Sequence, residues 1–389
     1  MKSKYIFFLT LLLIHSTFVD LRPLSVNNVN LYVQMLSALF LIVLVLKRIP
    51  LFFAKYKLLN ISLCLFVAAY SMSTYNVWHK HTLIALQSPY TSILEFIKVV
   101  CVVFFMQYIK ETNKVNVFLK YFLIILGIYL FVANIEAWGG KVNGMDICIL
   151  GDKFVLSYTN LFWISIFCYY RYVTRYHFNL LQYQTLLVLS FLMSGFIGCA
   201  TGVIVATSML ILSFVDISFI SKIMVSPLNL IIAILVCDLG FYFTYETILK
   251  NDFVKYVIVD LLGEDLTLTS RTMIWDRLDT ILDLEPLWGF GPGNETSVVQ
   301  GLINLTNAQN GILHDYLGVG IIGVASYLIL LYAILKTVHL RRPNTIIYFF
   351  FGLVVASVVE VSLTTISLCY LSFLIICNLS IKMKITSKK

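Results

Sequence analysis

Between Ser270 and Gly323 the chain carries Ser270-Arg271-Thr272, Trp275, Arg277, Pro286-Leu287-Trp288-Gly289-Phe290-Gly291, Gln309-Asn310, His314-Asp315 and Gly320-Ile321-Ile322-Gly323. These are side chains that can hold an anion and move a proton. On a helix, Arg271 meets Ile274 and Trp275 three and four residues on, and Arg277 meets Met273, Ile274, Thr280 and Ile281. Neither arginine has a carboxylate on its own face, so both can grip a phosphate bidentately. His314 is the residue best suited by type to take a proton, with Asp315 and Glu295 as less favoured bases, and Gln309 and Asn310 carry amides that can donate and accept hydrogen bonds. The Gly289 to Gly293 run reads as a turn that returns the chain to its scaffold. Without a preceding strand and a following helix it does not read as a nucleotide fingerprint.

The elements that must position these residues follow from periodicity. Ser270 is a credible N-cap, and Ile274, Leu278, Ile281 and Leu282 share one helical face while Asp276, Asp279 and Asp283 share another. The spacing predicts an amphipathic helix from Arg271 to about Leu284, ended by Pro286, with its apolar side lying on a membrane surface. It belongs to a stretch, 246–314, of about 70 residues without a long apolar run, and a connection of that length in a compact membrane protein is usually functional.

The rest of the chain reads as membrane scaffold. Of its 389 residues, 60% are apolar and 12% charged, against about 25% charged in soluble domains. Apolar runs at 5–19, 29–46, 58–75, 92–109, 117–135, 158–172, 184–198, 200–215, 228–245, 315–335, 345–360 and 361–379 predict an all-α integral membrane protein of about twelve transmembrane helices in one bundle. The stretches 184–215 and 345–379 are each long enough for one overlong helix or a tight hairpin. Folding both as hairpins keeps most of the 28 Lys and Arg on one side, including Lys336, Arg341 and Arg342, and the positive-inside rule makes that side cytoplasmic. Both termini are then cytoplasmic, and the 246–314 loop lies on the outer face between the ninth and tenth spans. Three parts result: N-terminal spans in 1–245, the extracytoplasmic loop 246–314, and C-terminal spans with a basic tail in 315–389. His15-Ser16-Thr17 after the first apolar run offers no A-x-A-like cleavage site, which favours an uncleaved first helix.

The net charge of +8 is a topology signal, and no basic stripe with interleaved aromatics points to nucleic acid. Seven of the eight cysteines fall in spans and read as packing residues, with Cys148 in a loop. No C-x-x-C, H-E-x-x-H or phosphate-loop motif is present, so neither a cofactor nor a metal centre is expected. Glu95 and Lys98 sit three apart within a span, and mutual neutralisation is the simplest account of them. Asp238 and Glu360 lack so obvious a partner and are functional candidates.

In order and spacing these motifs resemble the O-antigen ligase and polymerase superfamily: an Arg, a Trp, a Pro with Gly-x-Gly, then a His-Asn pair and, nine residues later, Gly-x-x-Gly. Here Asn310 is followed by nine residues and then Gly320 and Gly323. The motif likeness covers about 55 residues, and the many-helix architecture with a large loop in the C-terminal half extends it along the chain. The resemblance implies a GT-C-like bundle in the cell (inner) membrane that transfers glycans from an undecaprenyl-diphosphate-linked oligosaccharide. It implies catalytic roles for Arg271, Arg277 and His314, and substrate binding by Trp275, Gly289, Gly291, Gln309, Asn310 and Asp315. A flippase and a chain-length regulator are the partners it suggests. Two departures stand out: Gln309 replaces the histidine, and the region 194–202 lacks the arginine common near the seventh span. Both tilt toward the sequence-variable Wzy-type polymerase branch, ahead of a ligase or a lipid-linked oligosaccharide flippase.

Overall fold

The structure, a computed structural model, describes residues 3–21, 27–80, 89–139, 147–175, 179–214, 226–256, 259–260, 271–304, 308–337 and 345–377. In chain order the helices are α1 (Ser3–Thr17), α2 (Asn27–Val45), α3 (Ile49–Lys55), α4 (Lys57–Lys80), α5 (Pro89–Glu111) and α6 (Val115–Trp138). A minimal hairpin of β1 (Ile147–Cys148) and β2 (Gly151–Asp152) precedes α7 (Lys153–Arg175), α8 (Leu180–Phe196), α9 (Ala200–Phe214), α10 (Pro227–Leu249) and α11 (Asp252–Tyr256). Then come α12 (Arg271–Leu282), α13 (Glu295–Ile303), α14 (Gly311–Lys336), α15 (Thr345–Ser357) and α16 (Thr365–Ser372).

The protein is an all-α membrane protein. Among the described residues six helices are long and apolar enough to cross a bilayer: Val29–Lys55, Lys57–Val77, Ser92–Glu111, Val115–Trp138, Pro227–Tyr245 and Gly311–Lys336. The helices α1, α8, α9, α15 and α16 are apolar but shorter. Both doubtful apolar stretches are divided. Gly198, at φ 67°, ends α8, and the Cys199 N–H folds back onto the Ser194 carbonyl before α9 begins. The second stretch breaks between Ser357 and Thr365. At 13 residues, α15 is about 20 Å long, short of a hydrocarbon core of about 30 Å.

Two cores hold the molecule. The larger is an aromatic knot in which Phe18, Phe118, Phe122, Phe162, Tyr370 and Phe373 meet edge-on, tilted or, for Phe18 and Phe162, stacked, at 4.6 to 6.2 Å between ring centres, geometries the ring quadrupole favours. The smaller gathers Tyr242, Ile274, Trp275, Leu278, Ile281, Phe290, Val298, Val299, Ala308, Leu313 and Leu317. This second core corrects the membrane-surface expectation for α12. The amphipathic helix exists, but Ile274, Leu278 and Ile281 are 2%, 0% and 1% exposed because α13 and the first half of α14 cover them. Burial against protein satisfies the same apolar stripe that lipid would have.

The eight cysteines are free thiols; Cys101, Cys148, Cys168, Cys199 and Cys369 are buried as packing residues, while Cys64 and Cys237 are exposed. Cys148, outside the spans, is buried under the hairpin, and burial pushes its thiol up to about 11, which makes it a packing group and not a nucleophile.

Candidate functional site

The site is built around α14, which begins four residues before the apolar run that hydropathy marks. Gln309 adopts a left-handed conformation at φ 52° and turns the chain so that Asn310 becomes the N-cap. The Asn310 carboxamide oxygen accepts the Leu313 N–H at 3.0 Å, while its amide donates to the Asp238 and Val358 carbonyls at 3.2 and 3.3 Å. Asn310 is fully buried, so this side chain ties α10 and the α15–α16 connection to the start of α14. The role its hydrogen bonds give it is that of a tether.

Halfway along, α14 breaks. Gly320 has φ 62° and ψ −173°, a region essentially confined to glycine. The loop 286–293 fills the break: the Ile321 N–H donates to the Pro286 carbonyl at 3.0 Å, and the Phe290 N–H donates to the Leu317 carbonyl at 2.8 Å. Gly289, at φ 66°, lies so close that a Cβ there would stand 2.6 Å from the Gly318 carbonyl carbon. Gly291, at φ 85°, is buried beside Asn294 and Val77. The Gly-x-Gly and Gly-x-x-Gly motifs are thus two halves of one joint. Gly289 from one and Gly320 from the other let the two backbones touch. Trp275 is buried as well, with its indole N–H on the Ala308 carbonyl at 3.0 Å and Phe241 and Tyr245 edge-on to it. It anchors the small core and presents no face for stacking.

What the joint positions is a set of buried ionisable groups. Glu295, the first residue of α13, accepts the Gly293 N–H at 3.1 Å and packs on Gly318, where any Cβ would overlap its carboxylate. Its other oxygen stands 3.9 Å from His314 Nε2. Burial pushes the Glu295 carboxyl up to about 7, with Glu95 adding repulsion and backbone N–H groups opposing. Asp315 is 6% exposed, and its Oδ2 has no hydrogen-bond partner; the same holds for His314 Nδ1 and for the hydroxyl of Tyr70, which is 1% exposed. Glu95, on α5, accepts from the Thr365 hydroxyl at 2.6 Å. It does not reach Lys98 within ion-pair distance, which corrects the expected Glu95–Lys98 neutralisation. Asp238, fully buried on α10, accepts from Ser357 at 2.7 Å, and Glu360 is buried with one oxygen on its neighbour's Val361 N–H.

The arginines stand apart from this cluster. Arg277 is exposed on the side of α12 that turns away from the small core, with no ion pair among the described residues. Arg271 begins α12, and its side chain lies outside the described residues, as does Ser270. His314, Asp315 and Glu295 come together; Arg277 does not join them.

Sequence reasoning passed over α4. Tyr70, Ser73 and Val77 follow one another at helical spacing on a single face, where Ser73 donates to the Gly318 carbonyl at 3.0 Å and Val77 lines Gly291. Nearby, Asn76 donates to Glu285 at 3.2 Å. The spacing was a usable signal, but hydroxyls within an apolar run resemble ordinary helix-packing residues. Compared with known proteins, the chain matches no family model, no curated protein and no solved structure.

Proposed function

We propose that this protein is a membrane glycosyltransferase that joins polyprenyl-diphosphate-linked oligosaccharide units into a polysaccharide on the outer face of the cytoplasmic membrane. The observation that carries the reading is convergence. Trp275, the Pro286–Gly291 turn, Asn310 and the Gly320–Gly323 pair, separate in sequence, come together around the first half of α14, the segment that carries His314 opposite Glu295. In this reading the shorter apolar helices cross together with the six long ones, giving about twelve spans, and both termini are cytoplasmic.

The chemistry assigned to the site is a displacement. The acceptor sugar hydroxyl attacks the anomeric carbon, the bond from that carbon to the diphosphate oxygen breaks, and the hydroxyl proton passes to a base. His314 is that base, with Glu295 beside it to hold the imidazolium that forms. Gln309 has no ionisable group and supplies none of this. The departing diphosphate carries the bonding electrons, and fixed cations stabilise it. Arg277, exposed on α12, fills that role where its guanidinium can meet a headgroup, and Arg271 is assigned the same role from its place in the sequence motif.

The deciding experiment is an electrophoretic glycan profile of a strain lacking the protein, complemented with wild type or His314→Ala. Single repeat units without long chains in the deletion strain, unrescued by the variant, are expected. Long chains stranded on the lipid carrier would point instead to a ligase, and loss of outward single units to a flippase. Wild-type chain lengths in the deletion strain would overturn the proposal.

A further inference from the structure

We propose that Asp315, Tyr70 and Glu295 form a site for a sodium ion beside the break in α14. Three oxygen-bearing side chains from three helices, α14, α4 and α13, face one another in the interior. The charged or ionisable groups facing Asp315 are Glu295, Glu95 and Asp238; those facing Tyr70 are Asp315, Tyr327, Glu295 and Glu95. All are acids or phenols. The basic group beside these acids is the His314 imidazole, 3.9 Å from Glu295, and Lys98 is out of ion-pair range of Glu95.

A cluster of acids does not by itself identify a ligand. The independent observation is Tyr70, whose hydroxyl is buried, has no hydrogen-bond partner and faces the acids from another helix. Leaving such a hydroxyl and the Asp315 Oδ2 unsatisfied costs a few kcal/mol each, about 1–3 in protein interiors. An ion can bridge oxygens that stand too far apart to bond directly.

The donor set is hard oxygen, which selects an alkali or alkaline-earth ion over zinc or copper. No group of three acid, histidine or cysteine side chains that could hold a metal is found among the described residues; the third oxygen proposed here is a phenol, a weak neutral ligand that suits a singly charged ion. The break at Gly320 adds to the case, because interrupted membrane helices recur where coupling ions bind. The proposal does not rest on the glycosyl-transfer reading, and its test needs no glycan.

The test is thermal melting of the detergent-purified full chain in equal concentrations of sodium, potassium and N-methylglucamine chloride. Sodium is expected to raise the melting temperature by several degrees over the other two. Asp315→Asn and Tyr70→Phe should keep a cooperative transition and lose the increment. If Asp315→Asn does not fold, Tyr70→Phe and direct retention of radioactive sodium by the wild type carry the test. Equal melting in all three salts, or a response to pH without one to sodium, would overturn the proposal.

Discussion

Around Trp275 the indole N–H meets the Ala308 carbonyl and the neighbours are Phe241, Tyr245 and the apolar face of α12. Around Asp315, on the other side of the same joint, a carboxylate oxygen, a phenol and an imidazole nitrogen are buried without partners. Both regions are interior and both are made by the loop 286–293 docking on α14. One has its polar groups matched, so its residues explain themselves as packing. The other leaves buried polar atoms without partners within the chain, each at a cost of about 1–3 kcal/mol. On this contrast we propose His314, Asp315, Glu295 and Tyr70 as the functional groups, with Trp275, Asn310 and the paired glycines as scaffold.

The joint itself is the place to break the comparison most severely. Gly320→Ala puts a Cβ onto the Leu287 carbonyl at a backbone conformation only glycine adopts. The cost should be about 4 kcal/mol or more, and both regions should fail together, read as loss of monodisperse protein in size-exclusion chromatography. A folded, active Gly320→Ala variant would show that the break is not needed.

Next in size is Trp275→Ala. Removing a fully packed indole costs about 3–5 kcal/mol and strands the Ala308 carbonyl. A large drop in melting temperature is expected with ion specificity and any residual activity retained, since the scaffold side alone is damaged. If activity disappears while the melting temperature holds, Trp275 belongs to the substrate site after all.

The division of labour between these two regions was only partly legible in the sequence. Hydropathy found the helices, and the spacing of Ile274, Leu278 and Ile281 found α12, because periodicity reports which face is apolar. It does not report what covers that face, so lipid was expected where Val298, Leu313 and Leu317 stand. The glycines were read as a turn and as a family motif; that Gly289 lies against Gly318 depends on contacts between segments about 30 residues apart. Tyr70 was invisible because a tyrosine in a span is ordinary until its hydroxyl is known to lack a partner. Glu95 and Lys98 misled for the opposite reason: three-residue spacing permits an ion pair, but Thr365 from α16 offers Glu95 a closer bond.

Titration of Glu295 sharpens the contrast at smaller cost. Its folded value of about 7 lies above the ordinary 4.5, so the folded state binds the extra proton. Its stabilising contribution is full below pH 4.5 and is lost as pH rises to 7, a fall of up to about 3 kcal/mol. Melting measured at pH 5 and pH 7.5 should show this loss in the wild type and a much flatter response in Glu295→Gln. An unchanged slope in the variant would mean that the pH response originates elsewhere.

The smallest structural effect belongs to Arg277→Ala. The side chain is exposed and unpaired among the described residues, so stability should move by no more than about 0.5 kcal/mol. A guanidinium that grips diphosphate, however, is worth about 1.5–3 kcal/mol in a charged hydrogen bond, equivalent to roughly a tenfold to hundredfold loss of transfer. Chain length in a complemented deletion strain, with membrane levels of the protein matched, separates the two scales. Shortened chains at unchanged stability would make the rim arginine part of the reaction, joined to the buried cluster through the substrate and not through the fold. Wild-type chains would leave α12 as scaffold along its whole described length and confine the chemistry to the acids, the histidine and Tyr70.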